Sequence, residues 1–508
     1  MSVLTHEINS RKIAQAAVWT SGSILLVRLF FLISSIITAR LLNSEDFGLI
    51  GIAGAIYMII DTTSATGIGN FLIYKQDLTI QERNTAFTMN LLIGLFFGCL
   101  VVFSGCIIGH LYHKPEVEKI LLFSGIAFFI STMSGIPKAL LIKNMKQQTL
   151  AIIDVAVNFL NFLLIIVFSL CGFKYLSYVI PLLIYQAAYG MILFFVTGQY
   201  FKLSLNKEIF LKIFKYSRSF TPQILLADLL YQVDYLIGSA FLSSAMLGYY
   251  YFGFEKAFLL SVFTRGISEQ VLFPVFSKSQ ADMDVLKQNY FKLGSYVMFI
   301  LFPILGFVIL QAQELLPLVY GDHWNNSIFT FQCILSFFLL KVNYDISITL
   351  FNAIGKTHQN LKHFLCVIPH TVLFFFIGVS KAGLMGLSIA ALMAHSLSGM
   401  FMMYRLSRYF KWSLLEQVTH LFRYLVPLFL VVPVTLFFKY LFMKMGLSAL
   451  VVIFNLIFIF VIFYISFSWL INPEIIKDIY GFTQNKLQRK FQVSALDGED
   501  IYFERADS

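Results

Sequence analysis

A set of ionisable side chains stands inside long apolar stretches of this sequence: Arg28, Asp61, Asp228, Asp234, Glu255, Lys256, Arg265, Lys341 and Asp345. A charge placed at the centre of a bilayer costs at least ~2.5–3.5 kcal/mol, so such groups face an interior cavity or a partner. Spacing accounts for some of them as self-neutralising pairs. Lys341 and Asp345 are four residues apart, as are Arg265 and Glu269, which puts each pair on one helix face. Lys256 directly follows Glu255, so these two side chains are expected to diverge and seek other partners. Arg28 has no acid within a helical turn. Around 230, Asp228, Tyr231, Gln232 and Tyr235 share a helical stripe that contains no base, with Asp234 offset from it.

Two chemistries follow. Unmatched cations suit an anionic ligand, because a guanidinium meets phosphate in a planar fork and an ammonium meets it as a point charge. Arg28, Lys256, Arg265 and Lys341 are the expected cavity cations for an anionic group. Buried carboxylates suit a proton or sodium site, since burial disfavours their charged form. Asp61, Asp228, Asp234, Glu255 and Asp345 are the expected coupling positions. No catalytic residue is expected: the sequence has no GxxxxGK[ST] loop, no HExxH, and no GxSxG in a plausible turn. Among the scattered histidines only His110 and His113 lie close together, so neither metal nor other cofactor is expected. Transport would draw on an ion gradient or on the gradient of the substrate itself.

The elements that must position these groups are membrane helices. Of 508 residues, 58% are hydrophobic and 13% charged, and mean hydropathy is +0.78. A soluble chain carries about 25% charged residues, so composition excludes a water-soluble globule and also collagen, coiled-coil, disordered and disulfide-scaffold classes. The five cysteines lie in or beside apolar stretches without a CxxC pair and read as small apolar residues. The apolar segment that begins near Ala16 is too long for a signal h-region and lacks a small-residue cleavage site, so it is expected to remain.

Apolar blocks against polar breaks give about fourteen membrane helices. The expected spans are 16–42, 47–74, 85–110, 119–141, 149–171, 175–199, 216–243, 246–274, 290–312, 327–354, 361–380, 383–404, 418–439 and 446–470. With the N-terminus in the cytoplasm, most of the 37 Lys and Arg fall in cytoplasmic breaks, including the run Lys202, Lys207, Lys212, Lys215 and Arg218 and the cluster Arg405, Arg408 and Lys411. Both termini are then cytoplasmic. The net charge of +10 reflects topology and lipid headgroups rather than nucleic acid.

The halves echo each other at a spacing of about 200 residues, which predicts a parallel repeat. ARLLNSEDFGLIGIAG (39–54) lies over SAFLSSAMLGYYYFGF (239–254), aligning Leu42 with Leu242, Ser44 with Ser244 and Gly48 with Gly248. Farther on, KALLIKNMKQQ (138–148) faintly matches ITLFNAIGKTH (348–358). The expected organisation is an N-terminal six-helix lobe over 1–205 and a second over 206–412. Two extra helices follow over 413–471, then a polar tail over 472–508.

At ARLLNSEDFGLIGIA (39–53), and again at LPLVYGDHWNNS (316–327) with Gly321, Asp322 and Trp324, the sequence resembles the polysaccharide-transporter family of the multidrug/oligosaccharidyl-lipid/polysaccharide exporter superfamily. The resemblance covers roughly residues 10–470 and fits the branch of O-antigen and colanic-acid flippases. It implies a MATE-like all-α fold in the bacterial inner membrane. It also implies a flippase that moves undecaprenyl-diphosphate-linked oligosaccharide repeat units to the outer leaflet by alternating access, for O-antigen, capsule or exopolysaccharide. Proton or sodium coupling, and work alongside polysaccharide polymerase and export machinery, belong to the same implication. The motif residues are expected to set turns and packing, with Gly48 and Gly321 at tight outer turns and Asp46 as a helix cap. A cation antiporter of the same superfamily would use Asp61, Asp228 and Asp234 instead, with Arg28 and Lys341 awkward for it. A membrane polymerase or glycosyltransferase would need outer loops longer than any here.

Overall fold

A computed structural model describes residues 10–64, 67–75, 77–111, 114–198, 200–217, 221–260 and 271–478. Arg265 and Glu269 lie outside these residues. The side chains of Asp61 and Asp228 lie outside the description too, although the backbone there is helical. The described residues are helical with short connections and contain no strand.

Ten of these helices are long and apolar enough to cross a membrane. The difference from the expected fourteen lies in four places. Thr357–Phe410 contains a reversal at Ala382 (φ −137, ψ 21) and Gly383 (φ 54, ψ −130), at the break expected between 380 and 383. Gly383 sits in the left-handed region that favours glycine. Beyond it the backbones of Gly378 and Gly386 meet so closely that a Cβ on either would strike the other's carbonyl. The other three are Ser44–Ser64, Thr221–Phe241 and Ser244–Leu259, which carry Asp61, Asp228, Asp234, Glu255 and Lys256; the last is only 16 residues long, and in the first two part of the side chains lies outside the description.

Two expected spans are interrupted. The span 47–74 resolves into Ser44–Ser64 and Ile68–Tyr74 around Gly67 at φ 65. The span 246–274 resolves into Ser244–Leu259 and, after residues outside the description, Phe273–Ser279. Two short helices stand where loops were expected. Lys207–Ser217 buries Ile213 completely and half-buries Ile209 and Phe210 against Ile68–Tyr74 and Ile80–Leu111, leaving Lys207, Lys212 and Lys215 exposed. Apolar residues at i, i+1 and i+4 against lysines mark an interfacial amphipathic helix. Ala312–Tyr320 is the second.

Two compact units make up the chain. One comprises residues 1–258, 315–334 and 357–395; the other comprises 259–314, 335–356 and 396–508. The five cysteines are free, and only Cys333 is buried. The other four stand on outward faces rather than in the core, which a lipid-facing surface permits as readily as an interior.

Candidate functional site

In the first unit the site is built where the helix Ser10–Leu41 ends. Asn43 precedes the next helix and accepts the Asp46 N–H (2.9 Å), while Asp46 accepts the Asn43 N–H (3.5 Å) and the Tyr175 N–H (3.2 Å). This is a capping box. Asn43 is therefore the cap and Asp46 its reciprocal partner, a correction to the expected cap at Asp46.

Gly48 is not at the turn. It lies one helical turn inside Ser44–Ser64, pressed against its repeat-mate. A Cβ on Gly48 would strike the Ser244 carbonyl, and a Cβ on Gly248 would strike the Ser44 carbonyl. The residues aligned by the internal repeat thus meet each other reciprocally. The absence of both side chains lets two backbones cross in direct contact. Gly321, at φ 106, does occupy a turn that requires glycine.

The ARLL and GDHW segments, far apart in sequence, dock onto one another. The Ala39 carbonyl accepts the Trp324 Nε1–H and the His323 Nε2–H, each at 2.8 Å. Arg40 donates to the Leu318 carbonyl (2.7 Å) and the Val319 carbonyl (3.0 Å), satisfying two orphan acceptors at the end of Ala312–Tyr320. Replacing Trp324 with Phe should keep the ring and lose one hydrogen bond, lowering stability by about 1 kcal/mol. Thermal unfolding of the detergent-purified protein measures this, and an unchanged midpoint would remove the indole N–H from the latch.

Behind this latch the aromatic rings close a box. Trp324 stacks on Phe252 with centroids 3.8 Å apart and meets Phe47 edge-on at 4.9 Å. Lys256 rises into it: its Nζ lies 5.2 Å from the Phe252 centroid, 5.7 Å from Tyr320 and 5.8 Å from Phe47. The residue is only 4% exposed. Its one ion-pair partner among the described residues is Glu255, at 3.0 Å. The expected divergence of Glu255 and Lys256 is thereby overturned: the four-carbon lysine stem bends back across the helix surface until the charges meet. Ring faces stabilise the ammonium further. A buried ammonium held by one partly exposed carboxylate can exchange that partner for a phosphate oxygen.

Asp234 is fully buried. Its carboxylate accepts from the Tyr250 hydroxyl (2.7 Å) and the Tyr235 N–H (2.9 Å), and no basic side chain pairs with it among the described residues. Arg28 is placed differently. It stands on an exposed face beside the exposed Leu25, Leu26 and Leu29, about 16 Å along the helix from Ala39 at 1.5 Å per residue. Arg28 therefore does not join the Lys256 box.

In the second unit Lys341 Nζ meets both oxygens of Asp345, at 2.8 and 2.6 Å, in the i,i+4 pairing expected from spacing. The Phe338 ring lies 5.9 Å from the ammonium. Next to it Tyr290 donates to Asn343 (2.9 Å) and shares a hydrogen bond with Ser347 (3.1 Å). Spacing gave no sign of Phe47, Tyr320, His323 or Arg40 as parts of the box and its latch, since each is brought there by a partner remote in sequence. The available signal was the pair of motifs themselves.

The profile of a family described as "polysaccharide biosynthesis protein" matches residues 37–329, which include the latch and the box. The chain is 22% identical over 332 residues to the lipopolysaccharide biosynthesis protein WzxC of Escherichia coli (strain K12), covering 65% of this chain and 68% of that one. It is 21% identical over 323 residues to the teichuronic acid biosynthesis protein TuaB of Bacillus subtilis (strain 168), covering 62% and 66%. The matches thus span about two thirds of these relatives. In fold it superposes on the lipid II flippase MurJ in an inward closed conformation with a TM-score of 0.73 at 14% identity, over 90% of this chain and 99% of that one. An inward-facing multidrug resistance MATE transporter gives a TM-score of 0.62 at 15% identity, over 78% and 99%. This chain is a multi-pass membrane protein of the polysaccharide biosynthesis protein family, with the all-helical fold shared by MurJ and the MATE transporter.

Proposed function

We propose that the protein is a transporter, not an enzyme: a flippase that carries undecaprenyl-diphosphate-linked oligosaccharide repeat units from the cytoplasmic to the outer leaflet of the bacterial inner membrane. The observation that carries this reading is the buried Lys256 ammonium. It is set among helices of a polysaccharide-biosynthesis family member and held by a carboxylate that a diphosphate can replace. Lys256 would hold a diphosphate oxygen in the first unit, and Lys341, Arg28 and Arg265 are the other candidate cations. Asp234, buried and, among the described residues, bonded to a tyrosine hydroxyl and a backbone N–H with no basic partner, is the best placed of the coupling positions for a proton or sodium ion. Asp61, Asp228, Glu255 and Asp345 are the others.

The lobes 1–205 and 206–412, the helices 413–471 and the cytoplasmic placement of both termini complete the reading. The reciprocal contact of Gly48 and Gly248 supports the two-lobe repeat. Polymerase and export machinery are the expected functional partners.

The decisive experiment is leaflet-resolved measurement of lipid-linked oligosaccharide in a deletion strain. Repeat units trapped on the cytoplasmic side and released by the wild-type gene are the expected result. Repeat units that cross but stay unpolymerised would overturn it, as would an unimpaired glycan with new sensitivity to cationic dyes. In the same rescue, Arg28→Ala should abolish export while the protein still inserts. Normal export by that variant would remove Arg28 from the site. Lys362→Ala, at an exposed position of the helix Thr357–Phe410, should be silent, and a severe loss there would relocate the functional surface.

A further inference from the structure

The second unit holds a polar pocket that the transport reading does not use. Three elements build it. Met283–Leu310 presents Gln288, Lys292, Ser295 and Tyr296 from one face; Leu414–Lys444 presents His420, Arg423 and Tyr424; the chain leaving Ala449–Ile471 closes it with Asn472, Pro473, Glu474 and Asp478. Its volume is about 640 Å³, and a neighbouring recess of about 620 Å³, reaching Lys287 and Glu416, shares Gln288, Phe291, His420 and Arg423 with it.

Most of the charges here cancel. Lys287 pairs with Glu416 at 2.7 Å and Lys292 with Asp478 at 3.2 Å. The Tyr296 hydroxyl also donates to Asp478 (3.0 Å), and Ser295 bonds the His420 ring at 2.8 Å. What remains facing the larger pocket is one cation, Arg423, and one carboxylate, Glu474, while Asp284 faces the neighbouring recess. Neither Arg423 nor Glu474 has an ion-pair partner among the described residues, and both are exposed. The backbone of Arg423 is fixed, since its carbonyl accepts the Asn472 side-chain amide at 2.8 Å.

The pocket sits where the apolar band ends. Past Arg423, Val426, Phe429 and Leu430 turn outward. At the end of the last span Trp469 and Leu470 are 60% and 77% exposed. An amphipathic ligand could therefore rest its head in the pocket and its chains on this apolar surface, at the depth where headgroups lie. A soluble phosphate would use only the first half of that arrangement.

We propose that this pocket binds a zwitterionic phospholipid headgroup of the phosphoethanolamine type. The phosphate lies in the fork of Arg423 and the ammonium lies on Glu474. Guanidinium and phosphate match in planar, two-bond geometry. An anionic glycerol headgroup satisfies Arg423 equally well and leaves Glu474 facing negative charge, so the carboxylate acts as the discriminating group.

The test is native mass spectrometry of the full-length protein released from vesicles of equimolar phosphatidylethanolamine and phosphatidylglycerol, counting retained adducts. The wild type should retain the ethanolamine lipid with about fivefold preference, the size expected for one exposed charge contact. Arg423→Gln should lose adducts of both lipids. Glu474→Gln should keep binding and lose the preference, and because both positions are exposed these variants are expected to fold. Equal retention of the two lipids by the wild type, or a wild-type pattern in Arg423→Gln, overturns the proposal. Displacement of the adduct by millimolar free phosphoethanolamine would show that the head alone is recognised and overturn the lipid assignment.

Discussion

Lys256→Gln should abolish export, by a factor of a hundred or more, because it removes the one buried ammonium of the box and leaves Glu255 without its ion-pair partner. Breaking a buried ion pair from one side costs about 3–5 kcal/mol, so the single variant alone cannot separate a folding role from a ligand role. The double variant Glu255→Gln, Lys256→Gln separates them. Two amides in the same place keep the volume and remove both charges, which is often neutral for stability. If Lys256 holds a phosphate, the double variant regains thermal stability in detergent and still fails to rescue export. If the lysine serves only to balance Glu255, export returns with stability and the proposed site is wrong. Lys256→Arg belongs in the same series. It keeps the charge, but its planar fork must fit between Phe252, Tyr320 and Phe47, and partial export is expected.

The second large effect concerns Gly48 and Gly248. Substituting Leu at either should eliminate export, and even Ala should impair it. The obstacle is main-chain atoms: the new Cβ meets a carbonyl of the opposing helix, Ser244 for Gly48 and Ser44 for Gly248, and backbone cannot swing aside as a side chain does. Overpacking of this kind costs about 1–3 kcal/mol and forces Ser44–Ser64 away from Ser244–Leu259. Gly54 is the internal control. It lies on the same helix with open space around its Cα, so Gly54→Ala should leave export and thermal midpoint unchanged. Equal behaviour of Gly48→Ala and Gly54→Ala would mean that the close crossing is not needed for the transport cycle.

The division of labour between sequence and structure can be read from particular residues. Class, helix positions and the break at 380–383 follow from apolar runs, because bilayer thickness fixes the length of a span. The Lys341–Asp345 pair follows from four-residue spacing, because a helix places i and i+4 side by side. The short helix Lys207–Ser217 was legible in its pattern of Ile209, Phe210 and Ile213, yet its lysines read more loudly as a loop. The reading of Glu255 and Lys256 failed because helical geometry places Cβ atoms, whereas a lysine ammonium lies four carbons farther out and settles by its surroundings.

The sequence by itself determined that this chain is built of membrane helices, and it carried a faint echo between its halves and two motifs. It could align Gly48 with Gly248, and it could mark ARLL and GDHW as special. Only the tertiary structure decided that the aligned glycines touch, that Trp324 and His323 share the Ala39 carbonyl, and that Lys256 rather than Arg28 is the cation enclosed by rings. The reason is physical: periodicity within a helix records which face is apolar, while contacts between helices distant in sequence depend on how those faces pack against one another.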